Sequence, residues 1–306
     1  MAAATYTTTA TRRQSHRSRR AGSLALQYAT NVVLSFVFIF PIVFMIMSSF
    51  KTNDAIFADL RSFRAFLPVG DLTLNDYVSV FTKSKFPRFL LNSVLISATT
   101  IGLGLLVNSL AAYALSRLRW KGQQVVLAII IATLIIPGEA VVIPLLLLVS
   151  KLPSVSFDNG LTLTQGWLNS YHVQILPFVT SAFSIFLFYQ FFREIPKDFD
   201  EAAMVDGANR LQIYRHVIVP NSGPVFATVA ILTFLGSWNA FLWPIMTIQS
   251  EDIRPVMVGM QYFFQQNVQW GEVMAYATLV TLPILVLFLL FQGAFVRSMA
   301  HAGVKG

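Results

Sequence analysis

Six long uncharged stretches dominate the alternation of apolar and polar residues along the chain. They cover residues 24–50, 89–116, 125–150, 173–192, 224–248 and 273–296, and the third contains one charge, Glu139. A bilayer core about 30 Å thick is crossed by roughly 20 apolar residues in a helix. Backbone groups inside lipid must be paired within their own segment. The pattern therefore predicts an all-α, polytopic membrane protein with about six transmembrane helices.

Composition narrows the possible functions. Of 306 residues, 55% are hydrophobic and 12% are charged, against about 25% charged in an ordinary soluble domain. Intrinsic disorder of the whole chain is excluded, and a soluble enzyme is disfavoured. The chain has no cysteine, which removes disulfides, thiol nucleophiles and thiolate-bound metals. The four histidines are scattered without metal-ligand spacing, so we expect no metal site.

The basic residues predict the orientation of the helices. The net charge is +8, and five arginines lie in the short tail before the first stretch. They favour a membrane topology signal over a nucleic-acid surface. Both termini are then cytoplasmic. We expect residues 1–23 to form a disordered basic tail, either touching anionic lipid head groups or serving only as a topology signal. The first stretch is too long for a cleaved signal peptide.

The connection at about 193–222 differs from the other loops. Its sequence predicts a helix that ends at Gly207, since glycine tolerates a positive φ, and a second short helix over 209–216. Ala202 and Ala203 form a patch of small side chains that lets another protein approach the backbone closely. The alternative is a solvated amphipathic linker.

A resemblance to a known family rests on this connection. It contains Glu201-Ala202-Ala203, then Gly207, and ends with Val217-Ile218-Val219-Pro220. This spacing resembles the EAA loop of ABC importer permeases, although Val217 and Val219 stand where the family usually has Ile and Leu. Four other segments are similar to short sequence motifs of the carbohydrate-uptake branch of this family, and within it to those of the maltose-type second permease subunits. They are Asn92-Ser93, Pro137-Gly138-Glu139, Trp238-Asn239 and the closing Gly303-Val304-Lys305-Gly306.

The resemblance implies a type I importer permease fold, with one transmembrane domain over 24–306, in the membrane of a bacterial or archaeal cell. It implies ATPase-coupling roles for Glu201, Ala202, Ala203, Asp206, Gly207 and Arg210, and a contact of the C-terminal tail with the ATPase at Gly303 and Lys305. The implied partners are an ATP-binding subunit dimer, a second permease subunit, an extracellular solute-binding protein and a sugar. The chain has no phosphate-binding Gly-x-x-x-x-Gly-Lys-Ser/Thr motif. ATP and Mg²⁺ are then used by the partner ATPase, and this chain is neither catalytic nor cofactor-binding.

A sugar path combines aromatic faces with amide or hydroxyl groups in an apolar bundle. Such side chains in the apolar stretches are Asn239, Trp238, Trp243, Ser237 and Asn108, and the carboxylate of Glu139 is a further candidate for the path. The alternative is that the Asn and Ser side chains only hydrogen-bond a neighbouring helix, and that the Trp belongs to the interfacial belt.

Two other functions compete with a permease subunit. An ion- or proton-coupled secondary transporter would use Glu139, because an intramembrane carboxylate is costly and is often functional. Pro137 and Gly138 also free backbone groups beside it, so Glu139 can instead cap a broken helix. A membrane-embedded enzyme is disfavoured, because no apolar stretch contains a His or a second carboxylate for catalysis.

Overall fold

The computed structural model is built mainly of helices and describes residues 6–156, 162–264 and 267–303. Its α-helices are α1 (Tyr6–Ser48), α2 (Asn53–Asp59), α3 (Asn75–Lys83), α4 (Phe86–Ser116), α5 (Gln123–Thr133), α6 (Gly138–Val149), α7 (Tyr171–Val179), α8 (Ala182–Glu194), α9 (Asp198–Val205), α10 (Arg210–Ile213), α11 (Val219–Asn221), α12 (Gly223–Trp238), α13 (Leu242–Thr247), α14 (Val256–Gly259) and α15 (Trp270–Gly303). A π-helical turn spans Tyr214–Ile218, and 3₁₀ turns span Phe63–Phe66, Glu251–Ile253 and Met260–Phe264. After α6, strands β1 (Pro153–Ser156) and β2 (Thr162–Gln165) pair antiparallel, with Pro153 opposite Gln165.

Four helical runs in the described residues are long and apolar enough to cross a membrane. They are Leu26–Ser48, Phe86–Ser116, Tyr171–Glu194 and Trp270–Leu290. Two bent helix pairs bring the number to six if each pair counts as one span. The all-α, polytopic fold predicted from the apolar stretches is confirmed.

The third apolar stretch consists of two half-helices, because α5 and α6 meet at 104°. Pro137 stands at the N-cap of α6 with φ −62° and ψ 134°. Proline lacks the amide proton that a continuing helix needs, and it disfavours helical geometry in the residue before it. Glu139 lies in the first turn of α6, where the helix dipole favours a carboxylate. Glu139 therefore lies at the N-terminal end of the second half-helix, directly after the break.

The fifth apolar stretch is not the single helix over 224–248 that its hydropathy predicts. α12 ends at Trp238 and α13 begins at Leu242. Pro244 has no amide proton to donate to the carbonyl of Ala240, and its ring would clash with that carbonyl in a continuous helix. At its other end, α12 bends by 81° from the helical run 210–221, which gives the second bent pair.

A proline inside α7 supports a contact between helices. Pro177 leaves the carbonyl of Val173 without its helical donor. The indole Nε1 of Trp243, in α13, donates to this carbonyl at 2.8 Å. The break in the helical ladder is thus satisfied by a side chain, and it fastens α13 to α7.

The N-terminal tail differs from its expected disorder, because α1 begins at Tyr6. The helix takes in most of residues 1–23. Residues 8–21 contain neither proline nor glycine, and they include alanine, arginine and glutamine, which favour helices.

The chain divides into two compact units. The first contains residues up to 78 and residues 268–278, and its Lys51 is 1% exposed. The ammonium of Lys51 donates to Asp59 Oδ2 at 2.8 Å and to the carbonyl of Arg64 at 2.5 Å. This buried pair orders the connection after α1. The second unit contains residues 79–267 and those from 279 onward, and it holds both regions that concern function.

Candidate functional site: the 193–222 connection and the helical cavity

The 193–222 connection folds as a helix, a turn and a second helix, and Gly207 closes the turn. The amide of Gly207 donates to the carbonyl of Met204 at 3.1 Å, and the amide of Ala208 donates to that of Ala203 at 2.9 Å. These two bonds form a Schellman motif, which requires a left-handed residue at the position of Gly207. Gly207 has φ +84°. The prediction that it ends the first helix is confirmed.

The second helix begins with a capping box. The Asn209 side chain accepts the amide of Gln212 at 2.9 Å, and the Gln212 side chain accepts the amide of Asn209 at 2.7 Å. Both sides of the Gly207 turn therefore have their backbone groups paired. The turn is held in one geometry by its own sequence.

A buried ion pair fastens α9 to the end of α4. The Arg117 side chain is 2% exposed, and its Nη1 lies 3.3 Å from Asp200 Oδ2. Its Nη2 donates to the carbonyl of Ile195 at 2.6 Å and also to the carbonyl of Phe192. One guanidinium thus joins the end of α4, the end of α8 and the start of α9.

Two tyrosines fasten the second helix of the connection to α4. The hydroxyl of Tyr113 donates to the carbonyl of Arg210 at 2.9 Å, and the hydroxyl of Tyr214 lies 2.7 Å from Ser109 Oγ. The two tyrosine rings pack with their centroids 5.4 Å apart. Displacement of the connection would therefore have to move or break its contacts with α4.

The outer face of this connection is exposed. Of the predicted coupling residues, Glu201, Ala202, Asp206, Gly207 and Arg210 are exposed, whereas Ala203 is half-buried. Two apolar side chains flank the turn, with Val205 89% exposed and Leu211 66% exposed. We define the docking face as Glu201, Ala202, Val205, Asp206, Gly207, Arg210 and Leu211. Val205 and Leu211 thus add exposed apolar surface to the otherwise polar docking face.

A cavity of about 620 Å³ lies among the helices of the second unit. Its walls come from α4, α6, α7, α8, α12 and α13, and they are mainly apolar. Phe178 and Trp243 line it and meet edge to face, with centroids 5.8 Å apart. Glu139 and Ser237, two of the predicted solute-path residues, also line it. In the described part of the chain, no group of His, Asp and Glu side chains is arranged to hold a metal ion.

Asn108 lies away from this cavity, and its amide is occupied by backbone groups. Its Nδ2 donates to the carbonyls of Gly104 at 2.7 Å and Val179 at 2.8 Å, and its Oδ1 accepts the amide of Ser181 at 2.9 Å. Asn108 therefore pairs the free backbone groups between α7 and α8. This arrangement favours the alternative interpretation of Asn108, a hydrogen bond to a neighbouring helix.

Trp238 and Asn239 are also absent from the cavity wall. Trp238 is 1% exposed, and its indole donates to the carbonyl of Val280 at 3.3 Å. Asn239 is exposed, and its Nδ2 donates to the carbonyl of Leu235 at 2.9 Å. The structure thus brings Ser237, Trp243 and Glu139 together in one cavity and places Asn108, Trp238 and Asn239 elsewhere.

Thr100 and Gln174 line the cavity but did not stand out in the sequence. The signal that points to Thr100 is a stripe of polar and small residues along α4, at Ser93, Ser97, Thr100, Gly104 and Asn108. This spacing places them on one face of the helix. Arg117 and Asp200 carry no comparable signal, since charges near helix ends are usually solvated.

The predicted tail contact with the ATPase stays a prediction. Gly303 is the last residue of α15, and Lys305 lies outside the described residues.

A helical membrane fold with a cavity between bent helices is the architecture expected of a membrane permease. Such a protein moves a solute through a path between its helices. The chain belongs to the family described as binding-protein-dependent transport system inner membrane component, whose model matches residues 100–301. The family resemblance inferred from the sequence is confirmed.

Several relatives match over most of their length. The trehalose/maltose transport system permease protein MalG of Thermococcus litoralis is 29% identical over 282 residues, which are 90% of this chain and 94% of the relative. The lactose transport system permease protein LacG of Rhizobium radiobacter is 30% identical over 275 residues, again 90% and 94% of the two chains.

A solved structure shares the fold. It is a chain of a bacterial ABC transporter involved in the import of the acidic polysaccharide alginate. The TM-score is 0.75 at 22% identity, over 90% of this chain and 97% of that chain. At this identity the likeness shows the fold, and the substrate of that transporter is a property of that protein.

Proposed function

We propose that this chain is the transmembrane permease subunit of an ATP-driven, binding-protein-dependent sugar importer. Its family and the names of its relatives, which are permeases for trehalose or maltose and for lactose, support the class of substrate. The observation that carries the proposal is the anchored 193–222 connection with its exposed docking face.

In this proposal the docking face binds a separate ATP-binding subunit. The sequence has no phosphate-binding loop of its own, so nucleotide is bound and hydrolysed by that partner with Mg²⁺. Closure of the ATPase pushes on α9 and α10. The push passes through Arg117 and Tyr113 to α4 and α8, and it shifts the helices between inward- and outward-open states.

A second permease subunit completes the translocation path, and a solute-binding protein delivers the sugar from outside. The family is described by its dependence on such a binding protein. The docking face then lies in the cytoplasm, as do both termini. This orientation agrees with the arginines before the first span and with Arg117, Arg119 and Lys121 after the second.

The proposal is tested with the four components together in liposomes. We expect ATP hydrolysis to rise when the sugar and its binding protein are both supplied, and the sugar to accumulate inside. Omission of the ATPase should abolish accumulation. Sugar accumulation that persists without the ATPase would contradict the proposal.

A further inference from the structure

We propose that the 620 Å³ cavity is a solute-binding site within this chain, and that it takes an uncharged, polyhydroxylated solute. This inference rests on the proposed function and deepens it. It assigns part of the sugar contact to this subunit rather than leaving all of it to a partner permease.

Two buried polar side chains in the cavity wall have unused hydrogen-bonding atoms. Thr100 is 1% exposed, and within the described residues its Oγ1 has no partner. Gln174 is 5% exposed; its Nε2 donates to the carbonyl of Ile253 at 3.1 Å, while its Oε1 has no partner there. Buried polar groups are nearly always hydrogen-bonded in native proteins. Both side chains belong to the cavity wall, and small rotations of them toward a bound ligand would give these atoms the partners that they lack.

The polar groups of the wall favour hydroxyl donors. The Oε1 of Gln174 can only accept a hydrogen bond, and an ionised carboxylate at Glu139 does the same. In the described chain, Glu139 has no ion-pair or hydrogen-bond partner among the other residues. Sugar hydroxyls donate to such acceptors, and they also accept from the hydroxyl of Thr100.

The charge of the wall disfavours an acidic solute. Glu139 is the one charged residue among the described residues that line the cavity, and no Lys, Arg or His lines it. An anionic solute would meet a like charge without a compensating cation. The permease fold itself accommodates acidic cargo in the alginate importer, so this preference would come from the cavity lining.

The size and apolar lining of the cavity also fit a sugar unit. Ligand sites usually have volumes of about 300–1,000 Å³ and combine aromatic walls with a few placed polar groups. Trp243 and Phe178 provide the aromatic wall, and hydrogen bonds fix Trp243 in place. The apolar faces of a sugar ring can pack against these rings while its hydroxyls reach the polar floor.

The native chain contains no cysteine, which allows a direct test of occupancy. Single-cysteine variants of the whole importer in membrane vesicles are labelled with a small, water-soluble methanethiosulfonate. Ser237→Cys places the thiol in the cavity, and Ala240→Cys is a second cavity position should the first variant fail to assemble. Asn239→Cys, outside the cavity lining, is the matched control. The probes are maltose, trehalose and lactose, with digalacturonic acid as the acidic counterpart.

We expect a neutral disaccharide that the importer takes up to slow labelling of the cavity variant and not of the Asn239→Cys control. Thr100→Val should weaken this protection about threefold to tenfold, the effect of one lost hydrogen bond, and Thr100→Ser should retain it. Absence of protection by an imported sugar would overturn the inference while leaving the proposed function intact. Equal protection of the cavity variant and the control, or stronger protection by digalacturonic acid, would also overturn it. If the importer takes up no sugar at all, the proposed function fails and the inference fails with it.

Discussion

Gly207 is the residue on which the geometry of the docking face depends. A side chain at φ +84° is strained even though a Cβ there would meet no atom within 4 Å. Gly207→Ala should therefore destabilise the protein by about 1–2 kcal/mol through the backbone alone. The measurement is the midpoint of thermal unfolding of the purified complex.

Gly102 provides the matched control for this substitution. It lies inside α4, where a Cβ meets nothing within 4 Å and φ is not positive. Gly102→Ala should stabilise the helix by about 0.5–1 kcal/mol, because alanine is the better helix former. Equal shifts of the same sign in the two variants would contradict the assignment of a conformational role to Gly207.

Arg117 acts on the same loop through charge and hydrogen bonds. Arg117→Met leaves Asp200 buried without its cation and removes the donor to two carbonyls, so we expect a loss of about 3–5 kcal/mol. Replacing Asp200 by Leu in the same chain should recover part of this loss. Unfolding midpoints and the rate of proteolysis within 193–222 measure both effects.

The control for Arg117 is Arg193→Met. Arg193 is exposed and lies over the Tyr189 ring at 5.6 Å. Its removal should change the unfolding free energy by less than about 1 kcal/mol. If the Arg117 and Arg193 variants behave alike, the buried pair does not hold the connection in place.

The start of α4 is tied to the loop before α14. Lys85 lies 2.8 Å from Asp252 and 3.2 Å from Glu251, and Asn92 donates to the carbonyls of Asp252 and Arg254. The hydrogen bond to Asp252 raises the pKa of Lys85 above its usual 10.5, and it lowers the pKa of Asp252 below its usual 3.8. Each shift favours the charged form in the folded state.

This pair gives a pH dependence with a definite sign. The Asp252 contribution is present above its unfolded pKa and is lost as the pH falls through the lowered folded value. The Lys85 contribution is present below its unfolded pKa and is lost as the pH rises through the raised value. The difference in unfolding midpoint between wild type and Asp252→Asn should therefore be constant from about pH 5 to about pH 9 and shrink in stronger acid. A difference that changes near neutrality would contradict this pairing.

The helices could be predicted from sequence, but several of their breaks could not. Hydropathy marks the apolar stretches, and Pro137 marks the bend between α5 and α6. Hydropathy does not mark the end of α12. Pro244 removes the helical hydrogen bond to the carbonyl of Ala240, and both residues lie within an unbroken apolar run. Likewise, Asn108 shows its role only when α4 lies against the ends of α7 and α8.

The candidate site, like the fold, could be predicted from the sequence only in part. The spacing of Glu201 and Gly207 locates the docking face, because the residues that form a turn of this kind lie close together in the sequence. Thr100 and Gln174 come from separate helices, and their meeting in one cavity depends on tertiary packing. The contact of Arg117 with Asp200 joins residues 83 positions apart, which local patterns do not report.

For the whole molecule, the source of energy separates the proposed importer from an ion-coupled carrier. Glu139→Gln keeps the size of the side chain and its capacity to accept hydrogen bonds but removes the carboxylate. In an ATP-driven importer, uptake should continue in part, and a protonophore added at constant ATP should not reduce wild-type uptake. A collapse of wild-type uptake under the protonophore would favour proton coupling through Glu139.

The central claim is that the docking face couples ATP hydrolysis to movement of sugar, and the most direct measurement is sugar uptake and ATP hydrolysis in the same liposomes. Glu201→Lys reverses a charge on the docking face, and Gly207→Pro imposes a φ near −65° where the turn needs a positive value. Glu194→Lys, an exposed charge reversal outside that face, is the control. The account predicts that both docking-face variants insert and assemble but lose sugar uptake per ATP hydrolysed, while the control retains it. Wild-type uptake per ATP in both docking-face variants would contradict the account.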